Sequence, residues 1–392
     1  MTGLSASAPT PLSGRKLLQH SAGSLQKNVD DAGSTPPLTV KAICPPLPER
    51  ECKNFPSEEE HPPVAYWRYP ETMGGTVFYA LNSVLTITKS RFESSRALDT
   101  GTALTAEYCS SVSVTKTSFQ NTRAGVDGGA LHARGCGSVS VAKSSFQNTR
   151  AGGDGGALHA THCSSVSVAK SSFQNNTADG DGGAVSFESV DSVVVKKSLL
   201  ERNKAVGESS GNGGGLYAED SVQIKISDSI FRRNQAALQD GGAIYAKIAS
   251  SLSTSNSTFE RNSAQGNGGA VLANVTEWDA EGTKFIGNSA NRAGGAVSLS
   301  NGSWVPYCCN VFKENVARFG GAVFLGGPAV LSAVEGRRTF CKWRECEIEG
   351  SSVSIVMHSD YEQAHLERNV AVRGGGIFCK SCGRLLVTAV ST

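Results

Sequence analysis

The 392-residue sequence lacks any apolar run of the roughly 18 residues that a bilayer-spanning helix needs. Its first thirty residues also lack an apolar core of about 7–15 residues, so no secretory signal is legible there. Charge is nearly balanced, with 37 Lys+Arg against 35 Asp+Glu and a net charge of +2. That balance removes the concentrated basic field expected of a nucleic-acid binder. Nowhere does a 3.6-residue apolar period run between helix caps, which argues against a helical solenoid. Proline all but disappears after residue 70, where only two of the thirteen fall. The other eleven sit in residues 1–70, among Ser, Thr, Gly and the run Glu58-Glu59-Glu60. Such a segment buries too little apolar surface to offset its ordering entropy, so 1–70 is expected to be a disordered Pro-rich arm with at most one short strand, at Leu38–Ile43.

What is present is glycine, 44 residues of it, and a repeat. Ser110–Cys136 and Gly137–Cys163 are near-copies, and the next unit opens in the same way. A Gly-Gly-small-aliphatic tetrapeptide recurs from residue 74 to residue 374 at a mean spacing near 27, counting degenerate copies at 101 and 350. A Phe or Leu follows each start, in most units 18 residues on. Repeats of this size mean stacked supersecondary units. Between the two markers, β-branched residues alternate with Ser, Thr, Lys and Gln, as in Val139, Val141 and Val166, Val168. Period-2 alternation in short runs predicts strands.

Short strands at a fixed period, with like residue above like, predict an all-β parallel β-helix of about 11–12 turns over 71–392, with irregular turns at 200–213 and 326–366. Successive turns would lie about 4.8 Å apart. The glycines then serve sharp corners. Asn176, Asn203, Asn234, Asn262, Asn288, Asn315 and Asn369, each three residues after the Phe/Leu marker, would hydrogen-bond along a stack.

The paired motif, clearest in FRRN (231–234) with GGAI (241–244) and FKEN (312–315) with GGAV (320–323), resembles the repeats of the chlamydial polymorphic membrane proteins and related right-handed parallel β-helices. The resemblance spans about residues 71–390 and implies a pectate-lyase-like fold and adhesion at a cell surface. It therefore implies an extracellular or surface location, although no signal and no C-terminal barrel strands are visible. The chain stops in what reads as the strand of a further turn, so a longer array is expected.

Several constellations are candidates for chemistry. Four residues after the first Gly, a column expected to face outward holds Phe78, Tyr217, Tyr245, Phe324 and Phe378, with His132 and His159 between. An exposed aromatic row suits a glycan- or protein-binding face. The two histidines lack a third ligand from a fixed place and read as surface residues. Before the Gly pair stand Asp127, Asp154, Asp181 and Asp240; a Ca²⁺ ion would relieve their stacking, but a local Asx turn, with Arg123 and Arg150 offsetting charge, is the preferred reading, and no cofactor is expected. Of eleven cysteines, Cys109, Cys136 and Cys163 share a column, and Cys341, Cys346, Cys379 and Cys382 fall near the end; all are disulfide candidates. The overall expectation is a non-catalytic surface repeat protein, structural or adhesive. The alternative is a lyase- or glycosidase-like enzyme, degenerate or with its site in the irregular turns.

Overall fold

The structure, a computed structural model, describes residues 77–306, 310–326 and 363–373, with a few short strands outside these ranges. The chain winds as a right-handed parallel β-solenoid of about nine turns of roughly 27 residues. One turn shows the plan. Strands Leu131–Arg134, Ser138–Ala142, Ser145–Gln147 and Arg150–Ala151 follow one another, and each pairs in parallel with its counterpart one turn away. Further along, the first two merge into long strands, Ile244–Ser255 and Val271–Glu281, so both faces belong to one sheet.

Register is in step with the repeat. Leu131 stands opposite Leu158, which stands opposite Val185. All three are buried. The Phe column stacks ring on ring, with centroids 4.6 Å apart from Phe119 to Phe146 and again to Phe173. After Leu200 it resumes from Phe231 through Phe259 and Phe285 to Phe312 at 4.8–5.0 Å. These spacings follow from the distance between strands, which brings identical side chains within contact on every turn.

The expected Asn stack is present and fully bonded. Asn234 Oδ1 accepts from the backbone N–H of Asn203 (3.0 Å) and from its Nδ2 (2.9 Å). In turn Asn234 Nδ2 donates to Leu200 O (2.9 Å) and to Asn262 Oδ1 (3.1 Å). The pattern repeats to Asn315 and Asn369. Buried amides so paired carry no desolvation debt, which is why a polar column is tolerated beside the Phe stack.

Two expectations about register are corrected. Phe78 does not lie in the outward column: it stands opposite Leu104, inside the core, with its ring 5.8 Å from that of Phe92. Tyr79 takes the outward place opposite Thr105, because a one-residue offset in a period-2 strand exchanges the two faces. At the other end, one step of the stack spans 54 residues instead of about 27, and the unit expected around residue 350 lies outside the described residues. Val323 pairs directly with Ile377, and Asn315 bonds to Asn369, 54 residues on. That step of double length, with the partial first turn, is why the described residues make fewer turns than the spacing suggests.

In the N-terminal stretch, strands Thr39–Ile43 and Val64–Trp67 pair antiparallel with the first turn, at Val84–Thr88 and Phe78–Leu81. A third short strand, Leu25–Gln26, pairs antiparallel with Thr39–Ile43, so the segment carries more than the one strand expected; the rest of it lies outside the described residues.

Candidate functional site

The site is built at the corner that the glycines create. The first Gly of each pair has positive φ, +63° at Gly128 and +62° at Gly155. A Cβ at Gly155 would lie 2.3 Å from Leu158 O and 3.0 Å from His159 Cβ, so the corner folds down against the outward column. The residue before that Gly is held beside the column by a ladder running between turns. Asp127 Oδ1 accepts from the Asp154 N–H (2.8 Å), and Asp154 Oδ1 accepts from the Asp181 N–H (2.6 Å). Asp181 Oδ1 takes the N–H groups of Gly211 and Asn212, both at 2.7 Å, and Asp240 Oδ1 that of Asn267 (2.5 Å). This corrects the expected local Asx turn: each carboxylate caps the next turn, not its own. Arg150 does not offset these charges either, since it pairs with Asp179 at 2.7 Å.

Because the corner covers it, the outward column is not an open aromatic face. Tyr217 and Leu272 are buried, Tyr245 and Phe324 half-buried, and Phe78 belongs to the core. Tyr217 and Tyr245 stack at 5.6 Å, and the Tyr217 hydroxyl donates to Glu219, which also pairs with Lys247. The side chain of Phe378 lies outside the described residues.

His132 and His159, expected at the surface, are only 6% and 5% exposed, with ring centroids 5.2 Å apart. The missing third group is Asp127, from the Asp ladder: one donor atom from each of Asp127, His132 and His159 lies within 4.8 Å of the others. Asp127 Oδ2 is 3.6 Å from His159 Nδ1, and Glu188 Oε1 is 3.7 Å from His159 Nε2. Both separations are ion-pair contacts too long for hydrogen bonds. His132 Nδ1 and both His159 ring nitrogens are buried without a hydrogen-bond partner. Burial disfavours the His159 cation, but Asp127 and Glu188 together outweigh it and hold its pKa at about 9. His132 falls to about 4, through burial and the neighbouring His159. Burial lifts Asp154 to about 7, whereas at Asp127 the opposing burial is overcome by His159 and the pKa is lowered.

A second feature escaped the sequence reading. Lys89, Lys116, Lys143, Lys170 and Lys197 occupy one exposed corner on five successive turns, all at φ between +50° and +53°. That conformation costs a residue with a Cβ about 1–2 kcal/mol and is normally left to Gly or Asn. Buried hydroxyls hold the corner: Ser144 Oγ accepts from the Thr117 N–H and Ser171 Oγ from the Ser144 N–H, both at 3.1 Å. Among the described residues none of the five lysines makes an ion pair. At about 4.8 Å per turn the row spans roughly 19 Å. The column then changes to Asp228 and Asn256. Its signal was available as a Lys three residues before the Phe/Leu marker in five units.

A family model described as right-handed β-helix region matches residues 75–285. The chain belongs to the right-handed β-helix family. No curated protein and no solved structure matches it.

Within this β-helix, Cys109, Cys136 and Cys163 are buried free thiols, a correction to the disulfide expectation. They line the inside of a corner where the next turn has the apolar Val190, and they act as small core residues. Cys341, Cys346, Cys382 and the side chain of Cys379 lie outside the described residues. Asp181 ties down the irregular turn at 200–213 through Gly211 and Asn212. Most of 326–366 lies outside the described residues.

Proposed function

We propose that this β-helix is a non-catalytic extracellular or cell-surface protein, structural or adhesive, that binds an anionic glycan along its lysine corner. The observation that carries the reading is the row of five exposed, unpaired lysines at a strained backbone position on a rigid corner. A cationic row with one charge per turn complements a linear polyanion that carries one charge per sugar or two, and its attraction is weakened by salt. The same cation repeated on every turn suits a binding track, whereas glycan cleavage needs one non-repeated pair of acid and base groups. The Gly-Gly-Ala and Phe-x-x-Asn motifs shared with the chlamydial surface repeats support the surface setting.

Binding of the purified chain to sulfated and uronate polysaccharides, measured across a salt series, tests this. The expected result is affinity that falls with salt and is lost in a triple variant, Lys116→Glu, Lys143→Glu and Lys170→Glu. Unchanged binding by that variant, equal binding to DNA, or release of shortened polymer would each overturn the proposal.

A further inference from the structure

We infer that Asp127, His132 and His159 form a binding site for one borderline transition-metal ion of the Zn²⁺ class, with Glu188 and the Asp154 backbone as its outer supports. The inference is independent of the glycan reading, since these residues lie on a different corner from the lysines.

Three observations converge. Donor atoms from two adjacent turns meet within 4.8 Å, one from each of the three residues. Both imidazoles are more than nine-tenths buried, and His132 Nδ1 and both His159 nitrogens have no hydrogen-bond partner. The two His159 nitrogens face carboxylates only at 3.6 and 3.7 Å, and His132 Nδ1 faces none; a buried polar group left unpaired costs about 1–3 kcal/mol, so the place of His132 Nδ1 beside them needs a reason. Finally, two of the three side chains, Asp127 and His159, have the non-ligating atom already occupied or faced. Asp127 Oδ1 is held by the Asp154 N–H at 2.8 Å, leaving Oδ2 turned to His159 Nδ1. On its far side His159 presents Nε2 to Glu188 Oε1 at 3.7 Å. A carboxylate behind a ligating imidazole fixes its tautomer and raises its basicity, the usual support of a histidine metal ligand.

Duplication of one unit accounts for two histidines in a column, but not for Asp127 turning one oxygen toward them. The adjoining turns carry Thr105 and Ser186 in the same column, so the site is confined to one step of the ladder. Two imidazoles and a carboxylate suit Zn²⁺ and its neighbours, whereas Ca²⁺ prefers a shell of oxygens. Ligand bonds of about 2.0–2.1 Å imply donor separations of roughly 3.3 Å, so side chains whose donors lie up to 4.8 Å apart must close by up to about 1.5 Å on binding. Asp127, at 23% side-chain exposure, leaves a route for the ion and a place for water as fourth ligand.

The test uses the untagged full chain, stripped with chelator, titrated with Zn²⁺ against a chromophoric competitor and separately with Co²⁺. Expected are one Zn²⁺ per chain and a Co²⁺ spectrum without the near-ultraviolet thiolate charge-transfer band. Glu188→Gln is expected to weaken binding about 10–100-fold, and His132→Asn or Asp127→Asn by more. Circular dichroism in chelator verifies that each variant keeps the β fold. If His132→Asn fails to fold, Glu188→Gln, at a partly exposed residue, still reads the site. Absence of Zn²⁺ binding, a thiolate band that moves the ion to Cys109, Cys136 or Cys163, or unchanged affinity in folded variants would each overturn the inference.

Discussion

Replacing Asn234 by Ala tests the ladder on which the stack depends. Four hydrogen bonds disappear: two accepted by Oδ1 from Asn203, and two donated by Nδ2 to Leu200 O and Asn262 Oδ1. Asn262 Oδ1 keeps the Asn234 backbone N–H, and Asn203 Nδ2 keeps Phe173 O. The groups left without any partner are therefore the Asn203 backbone N–H and the second lone pair of Leu200 O, in a site with no exposure at either Asn. At about 1–3 kcal/mol for each unpaired buried group, plus about 1 kcal/mol for each of the other two bonds, the expected loss is roughly 4–8 kcal/mol. Asn234→Thr is expected to lose less, since Thr149 already sits in this column and donates from Oγ1 to Asn176 Oδ1 at 2.7 Å. Urea unfolding followed by circular dichroism gives the midpoint, and amide exchange at Asn203 shows whether the damage is local. A loss below about 1 kcal/mol, with Asn203 still protected, would refute the reasoning, because the ladder would then add little beyond backbone pairing.

Two further expectations concern the corner and the thiols. At Gly242 a Cβ would lie 2.2 Å from Gly269 O, a backbone atom of the next turn that cannot step aside; Gly242→Ala should yield unfolded or aggregated protein, and soluble expression with native circular dichroism would contradict the geometry. Cys109, Cys136 and Cys163 should react with an aromatic disulfide reagent only after denaturation, without added reductant; fewer than three thiols recovered at these positions by peptide mapping would mean that they pair after all.

Most of the fold was legible because a parallel stack turns sequence period directly into spatial contact. The Phe, Asn and aliphatic columns needed only the spacing to be placed, and Leu131 stands on Leu158 as the repeat requires. The ends were less legible. One residue of slippage put Phe78 in the core, and the step from Val323 to Ile377 spans two repeat lengths where the spacing predicted two separate steps. The candidate sites were less legible still. Alternation correctly put His132 and His159 outside the coil, but alternation gives direction, not exposure, and the glycine corner of the same turn folds over them.

The repeat by itself determined the architecture, the strand direction and the interior ladders, since each depends only on which residue recurs at which interval. Tertiary structure alone decided which outward positions reach water. It brought Asp127 to His159 across a turn boundary, 32 residues away in the chain, and it placed five lysines on an open edge. The reason is that outward side chains answer to the loops that fold over them, and the path of a loop is set by corner dihedrals and contacts between turns that no periodicity encodes.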